Sequence, residues 1–261
     1  MGRTFVFHSY KGGTGKTTIA ANLAAIYAQR GTDVCILDFD FRAPSLPFLF
    51  KTKPKPGTWL NDFLNNKCNI SETLCEVNVG TKGKLAVGFA NPSSEAMRDI
   101  TKKDRKVWRN IFHRLLKTKR TIFKDLGFDY LIFDTSPGIQ DSSMNALAVS
   151  DAVLLTLKHD ELDMEGTKEL ARKFHAKLAR RTAIILNRVL FEPYTQISSE
   201  DEESLSERVH EEFGFPVVEV IPCFCDLSID GTRFLYPMKK PHHPFVKRLS
   251  RIAEAVEKLY E

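Results

Sequence analysis

The stretch Lys11-Gly12-Gly13-Thr14-Gly15-Lys16-Thr17-Thr18 decides the fold of this chain. A loop of this composition wraps phosphate oxygens in backbone N–H groups, with a helix N-terminus behind them and a lysine on the outer phosphates. Lys16 and Thr17 fill the lysine and magnesium-hydroxyl positions of the pattern G-x-x-x-x-G-K-[ST], while Tyr10 stands where its first glycine belongs. Lys11 is a second lysine, just ahead of the glycine pair. One loop cannot readily aim two lysines at one γ-phosphate, so the extra lysine points to a second subunit.

The surroundings fit such a loop. Thr4-Phe5-Val6-Phe7-His8 is a β-branched and aromatic run that reads as a strand. Thr17 to Ala28 places apolar residues at helical spacing, and Gly31 supplies a C-terminal stop. A glycine-rich hairpin would need a second strand after the glycines, and the sequence has none there.

At 261 residues, 43% hydrophobic and 27% charged, the chain reads as a soluble globular protein. A single domain over 1–261 is expected. No apolar stretch approaches the roughly 20 residues of a membrane helix, and the N-terminus reads as a strand rather than a signal peptide. Five cysteines at irregular spacing do not form a disulfide framework, which favours a reducing cytoplasm. The net charge of +5 is uneven. Arg98 to Lys124 holds eleven basic residues against Asp99 and Asp104, so the remainder of the chain is net negative.

Strand-like and helix-like runs alternate, the pattern of a mostly parallel sheet covered on both faces. Further strands are expected at Asp33–Asp38, Lys84–Phe89, Tyr130–Asp134, Ala152–Leu157, Thr182–Leu186 and Val217–Ile221. Helices are expected at Thr58–Leu64 with Thr58 as cap, across the basic segment on a Val107–Ile111–Leu115 stripe, and at Met164–Leu178 and Glu202–Phe213. A closing helix carries Phe245, Leu249, Ile252, Val256 and Leu259 on one side. Open parallel sheets hold ligands at the carboxyl ends of their strands. Asp38, Asp40, Asp134, Asn187 and Pro222 all fall at such ends. An aspartate there also caps a following helix, so each acid has a purely structural reading as well.

Taken together, Lys11 to Thr18, Asp38-Phe39-Asp40, Asp134-Thr135-Ser136-Pro137-Gly138 and Asn187-Arg188 make the whole chain resemble the MinD/ParA family of deviant Walker ATPases. The resemblance implies a three-layer P-loop NTPase fold of the SIMIBI class, with ATP and Mg²⁺ bound and hydrolysed slowly under partner stimulation. It implies that Gly12, Gly13, Thr14, Gly15, Lys16, Thr17 and Thr18 hold the phosphates. Lys11 would cross an ATP-joined homodimer to the partner's phosphates, and Asp40 would orient the attacking water beside Lys16. Thr17, Asp38 and Asp134 would attend magnesium. Asn187 and Arg188, with the loop of Pro222, Cys223 and Phe224, would enclose adenine.

Members of the family differ in what they grip, and here the residues leave alternatives open. The final helix mixes Lys247, Arg248 and Arg251 with Glu254 and Glu257 and ends the chain, which argues against a membrane-binding tail. The Arg98–Lys124 segment could neutralise DNA phosphates without sequence preference, face an acidic protein, or simply be solvated. An unknown protein activator or cargo is expected. Cys223-Phe224-Cys225 raises an iron–sulfur carrier of the Mrp type, although that family uses C-x-x-C. A metabolite kinase or ligase is disfavoured by Lys11. A bacterial tyrosine kinase is suggested by Asp38 to Leu46 and disfavoured by a final helix holding Tyr260 alone.

Overall fold

Runs that are apolar on both sides become interior strands, because a parallel sheet is covered on both faces. The computed structural model describes residues 2–78, 80, 82–178, 181–190, 198–230 and 234–260. Within them one sheet contains β1 (Arg3–His8), β2 (Val34–Phe39), β3 (Leu74–Glu76), β4 (Leu85–Gly88), β5 (Tyr130–Thr135), β6 (Ala152–Leu157), β7 (Thr182–Val189) and β8 (Val217–Pro222). Their order is β3-β4-β2-β5-β1-β6-β7-β8. Every neighbouring pair is parallel except the edge pair β3–β4.

The helices are α1 (Lys16–Gln29), α2 (Leu46–Phe50), α3 (Leu60–Leu64), α4 (Ile70–Thr73), α5 (Ser94–Thr101) and α6 (Arg105–Arg120), followed by α7 (Asp141–Val149) and α8 (Glu161–Leu178). The last four are α9 (Ser199–Phe213), α10 (Cys225–Asp230), α11 (Tyr236–Lys239) and α12 (Pro244–Lys258). The two-residue period of the strands divides them between two cores. Phe5, Phe7, Ile132 and Leu154 pack with Ile19 and Leu23 of α1 and Leu249 and Ile252 of α12. Val6, Leu131, Phe133 and Leu155 pack with Ile111, Leu147, Leu170 and Leu205 on the other face. This is the three-layer α/β fold expected from the sequence.

Helix α1 is buried almost all round, which its alanines allow by letting the backbone lie close to the sheet. Tyr27 is fully buried, and its hydroxyl donates to the Ala253 carbonyl at 3.1 Å, locking α1 to α12. Since β1 lies between β5 and β6, the chain leaves the centre of the sheet in both directions. The loop after β1 therefore opens at the crevice where such sheets hold ligands.

Three local expectations need correction. Trp59, not Thr58, precedes α3; its N–H donates to Asp62 at 3.1 Å, whereas the Thr58 hydroxyl turns back to the Lys55 carbonyl at 2.8 Å. The basic segment is two helices, because Asp104 caps α6 by accepting the Val107 N–H at 2.8 Å. Its buried stripe is Trp108, Ile111, Leu115 and Thr118, and Val107 is exposed. The short β3 edge and α7 carry too few periodic residues to stand out in sequence.

Candidate functional site

The loop from Ser9 to Gly15 joins β1 to α1 and needs glycine twice. Gly13 (φ 76°) and Gly15 (φ 92°) lie in the left-handed region. A Cβ on Gly15 would stand 2.2 Å from the Asn187 Nδ2. Lys16 opens α1 with its side chain folded back: Nζ donates to the Ser9 hydroxyl at 2.7 Å, and that hydroxyl donates to the Lys11 carbonyl at 2.5 Å. Burial pulls the Lys16 pKa down, and Asp134, Asp40 and Asp163 counter it.

Asp38 and Asp134 are opposite each other on adjacent parallel strands, inside β2 and β5 rather than after them. Both are fully buried. Burial raises both carboxyls, that of Asp134 to about 7, and for Asp38 the neighbouring Asp134 adds to it. Asp38 Oδ1 accepts the Asp40 N–H at 3.1 Å. Asp38 Oδ2 and both oxygens of Asp134 have no hydrogen-bond partner among the described residues. The Thr17 hydroxyl is near enough to lower the Asp134 pKa, but at no geometry that satisfies either oxygen. Two buried carboxylates short of donors, with a hydroxyl beside them, suit a divalent cation with oxygen ligands.

Asp40 is turned toward its own neighbourhood. Oδ1 accepts the Ser136 hydroxyl at 2.7 Å and the N–H groups of Arg42 at 3.3 Å and Ala43 at 3.1 Å. Ser136 thereby ties the loop after β2 to the loop after β5. His8 also belongs to the site. The Thr135 hydroxyl donates to the Phe7 carbonyl at 2.7 Å, so His8 Nδ1, 2.8 Å from that hydroxyl, carries a proton and donates it. Nε2 is buried without a partner among the described residues. Burial, then the Lys16 charge, holds the imidazole down to about 3. Neither Ser136 nor His8 stood out in sequence, because their partners are more than ninety residues away.

Lys11 lies at the outer side of the loop. Its Nζ stands 3.9 Å from Asp160 Oδ1 of its own subunit, with both side chains partly exposed. Tyr10, in the position of the missing glycine, lays its ring over Gly166 of α8; a Cβ there would come within 2.0 Å of it. The Gly138 N–H donates to the Ser9 carbonyl at 2.9 Å, which joins the loop after β5 to the same edge.

On the far side, β7 grips the loop from behind. Asn187 Nδ2 donates to the Thr14 carbonyl at 2.7 Å, and Arg188, in a left-handed conformation (φ 59°), donates to the Gly13 carbonyl at 3.1 Å. A cavity of about 250 Å³ opens here, lined by Gly13, Gly15, Thr18, Asn187, Arg188, Pro222 and Phe224, with Ile19, Leu227 and Phe245 behind. Cys223 does not line it; its N–H is bound to the Val189 carbonyl at 3.0 Å. Leu227 and Phe245 were missed as lining because their helices reach the cavity only after folding.

A parallel sheet whose central strand runs into a lysine-bearing glycine loop is the architecture of P-loop nucleotide-binding proteins. The chain belongs to the AAA_31 family (AAA domain), whose model matches residues 2–188, and so to the MinD/ParA-type P-loop ATPases. It is 27% identical over 195 residues to the chromosome-partitioning ATPase Soj of Treponema pallidum, covering 74% of this chain and 72% of Soj. It is 26% identical over 180 residues to the putative tyrosine-protein kinase CapB of Staphylococcus aureus, covering 67% of this chain and 72% of CapB. The fold matches the septum site-determining protein MinD of Pyrococcus horikoshii, complexed with Mg-ADP, with a TM-score of 0.78 at 21% identity, over 100% of this chain and 98% of that one.

Proposed function

We propose that this protein is an ATP-hydrolysing switch that dimerises around ATP, with Lys11 acting on the nucleotide of the other subunit. The contrast between the two lysines carries the reading. Lys16 is 6% exposed and bonded to Ser9, whereas Lys11 is partly exposed and, among the described residues, held only by a long contact to Asp160. A 3.9 Å pair between exposed groups contributes about 0–1 kcal/mol, so it yields readily to a phosphate. Ile139 and Leu162 are exposed on the segments tied to Ser9 and Tyr10, and offer apolar area to a second copy.

In this reading the N–H groups of Gly12 to Thr18 and the Lys16 ammonium hold the β- and γ-phosphates. The cavity at Asn187, Arg188, Pro222 and Phe224 takes the adenine. Thr17, Asp38 and Asp134 would hold Mg²⁺, which supplies charge neutralisation across the transferring phosphoryl group. Asp40, released from Ser136, orients the attacking water. Hydrolysis needs positioning and charge stabilisation more than covalent chemistry, and these residues can supply both.

The test is Lys11→Ala, followed by light scattering with ATP and by fluorescent-nucleotide titration. The expected result is loss of ATP-dependent dimers with nucleotide affinity retained. Dimers equal to those of the parent would rule out the trans-lysine role.

The basic segment gives this switch a surface for a polyanion. Lys103 is bonded to Asn65 and Asp99, Arg114 to the Leu64 carbonyl, and Lys119 to Asp151. Arg98, Lys102, Arg105, Lys106, Arg109, Lys117, Arg120 and Lys124 remain exposed and without an ion pair among the described residues. Those on α6 span 16 residues, about 24 Å of helix. Non-specific DNA is the partner that best suits such a face, and its binding should fall steeply with salt.

A further inference from the structure

A second polar recess lies on the ligand-bearing edge of the sheet, away from the phosphate loop. The chain leaves the carboxyl end of β4 at Gly88 and enters α5 at Ser94, repeating the strand-to-helix geometry that follows β1. Two strands, β2 and β5, separate β4 from β1 in the sheet. Between α3 and α5 is a groove of about 560 Å³, roughly twice the volume of the cavity at Asn187.

Helix α3 is anchored to the end of β4. The Leu60 N–H donates to the Phe89 carbonyl at 2.9 Å, and the Asn91 N–H donates to Asn61 Oδ1 at 2.8 Å. That second bond fixes the Asn61 carboxamide, which lines the groove at 5% exposure and leaves its Nδ2 with no partner among the described residues. A buried amide donor left unmade costs free energy, so its retention calls for an acceptor from outside the protein. Across the groove is the α5 N-terminus. Ser93 caps it through the Ala96 N–H at 3.3 Å, leaving Ser94 and Glu95 without intrahelical acceptors.

The charges along the groove favour an acceptor that is anionic. Arg98 and Lys102 follow Ser94 at successive turns of α5, line the groove, and are exposed without ion pairs among the described residues. Of the three acids in the lining, Asp62 accepts the Trp59 N–H and stands 3.8 Å from Lys67. Asp99 takes Asn65 and Lys103. Only Glu95 remains uncommitted against Arg98 and Lys102.

We infer that the groove between α3 and α5 binds a small oxyanion, a phosphate or carboxylate group, held by the Asn61 amide, the α5 N-terminus, Arg98 and Lys102. This site is separate from the phosphate loop and does not depend on the ATPase reading. It gives the protein a place for an effector or second substrate bearing such a group.

The Asn61 side-chain amide gives a resonance that reports on this site alone. Inorganic phosphate and malonate are titrated separately into the full chain, with and without saturating Mg-ADP. The expected result is a saturable shift of that amide by at least one probe, unchanged by ADP. It should weaken about tenfold or more in Arg98→Gln/Lys102→Gln. A response to phosphate alone assigns a phosphate group, and a response to malonate alone a carboxylate. An amide that does not move with either probe overturns the proposal, as does an equal shift in the double variant. Lys102→Gln alone, a change at an exposed position, keeps the test decisive if the double variant folds poorly.

Discussion

The Ser136 hydroxyl donates to the Asp40 carboxylate at 2.7 Å, joining two loops that leave adjacent strands of the sheet. In the proposed ATPase, Asp40 would choose between two settings: this tie, or an approach to a water at the γ-phosphate. Asp40→Ala should leave ATP affinity within about threefold of the parent and reduce phosphate release by roughly 100-fold or more. Ser136→Ala should give a smaller loss, about tenfold, because Asp40 survives but is less well placed. Steady-state phosphate release beside nucleotide titration checks both. An Asp40→Ala protein with unchanged turnover would leave Asp40 only its capping role.

Asp134, proposed to attend magnesium, carries a cost to the fold. Its carboxyl is raised from 3.8 to about 7 by burial, so the folded, nucleotide-free state holds a proton that the unfolded chain releases at lower pH. A raised acid destabilises the fold as pH climbs from the unfolded value toward the folded one, and the penalty is full above that. Asp134→Asn should therefore stabilise the free protein by about 2 kcal/mol near pH 8. The gain should shrink toward pH 4 and be accompanied by loss of magnesium-dependent nucleotide binding. Thermal melts across this range, with and without Mg-ADP, measure both effects.

Gly15 cannot become alanine without moving Asn187. The substitution puts a Cβ 2.2 Å from Asn187 Nδ2 at a φ of 92°. Strain at such a position costs about 1–3 kcal/mol. Gly15→Ala should lower the melting temperature and weaken nucleotide binding together. Asn187→Ala, which removes the bond to Thr14 and the clash at once, should restore part of the stability in the double variant. Additive losses in a double-mutant cycle would contradict the coupling.

Arg248 holds together an ion cluster, remote from the site, in which Glu219 is buried and the other members partly so. It bonds Glu219 at 2.8 Å and both carboxylate oxygens of Glu202, joining α12, β8 and α9. Burial raises the Glu219 carboxyl, and Arg248 is its chief counterweight. Arg248→Met strands that carboxylate and should destabilise the protein by about 3–5 kcal/mol. Adding Glu219→Gln should recover much of the loss in denaturant unfolding, since the buried carboxylate is then gone and only the more exposed Glu202 is left without its partner.

Much of this was legible in the sequence because the signals were local. The strand, glycine loop and helix at Thr4–Ala28 lie together, and the runs that became β5, β6 and β7 are continuously apolar because both faces are covered. The aspartates of β2 and β5 were visible as polar residues in apolar runs. What stayed hidden depended on distance. Ser136, His8 and Asp160 take their meaning from partners brought in by the fold, and Trp108 displaced Val107 only because the Asp104 cap set the phase of α6. Cys223 follows Pro222 in the chain but does not line the cavity, and its N–H is bound to the Val189 carbonyl of β7.

The grip of Asn187 and Arg188 on the carbonyls of Thr14 and Gly13 bears on how fast the site can fill. Two carbonyls fastened from behind leave the loop shaped before any ligand arrives, so binding does not have to order it. Association should then be set by diffusion and by the charge of Lys11 and Lys16, and discrimination among nucleotides should fall on how slowly each one leaves.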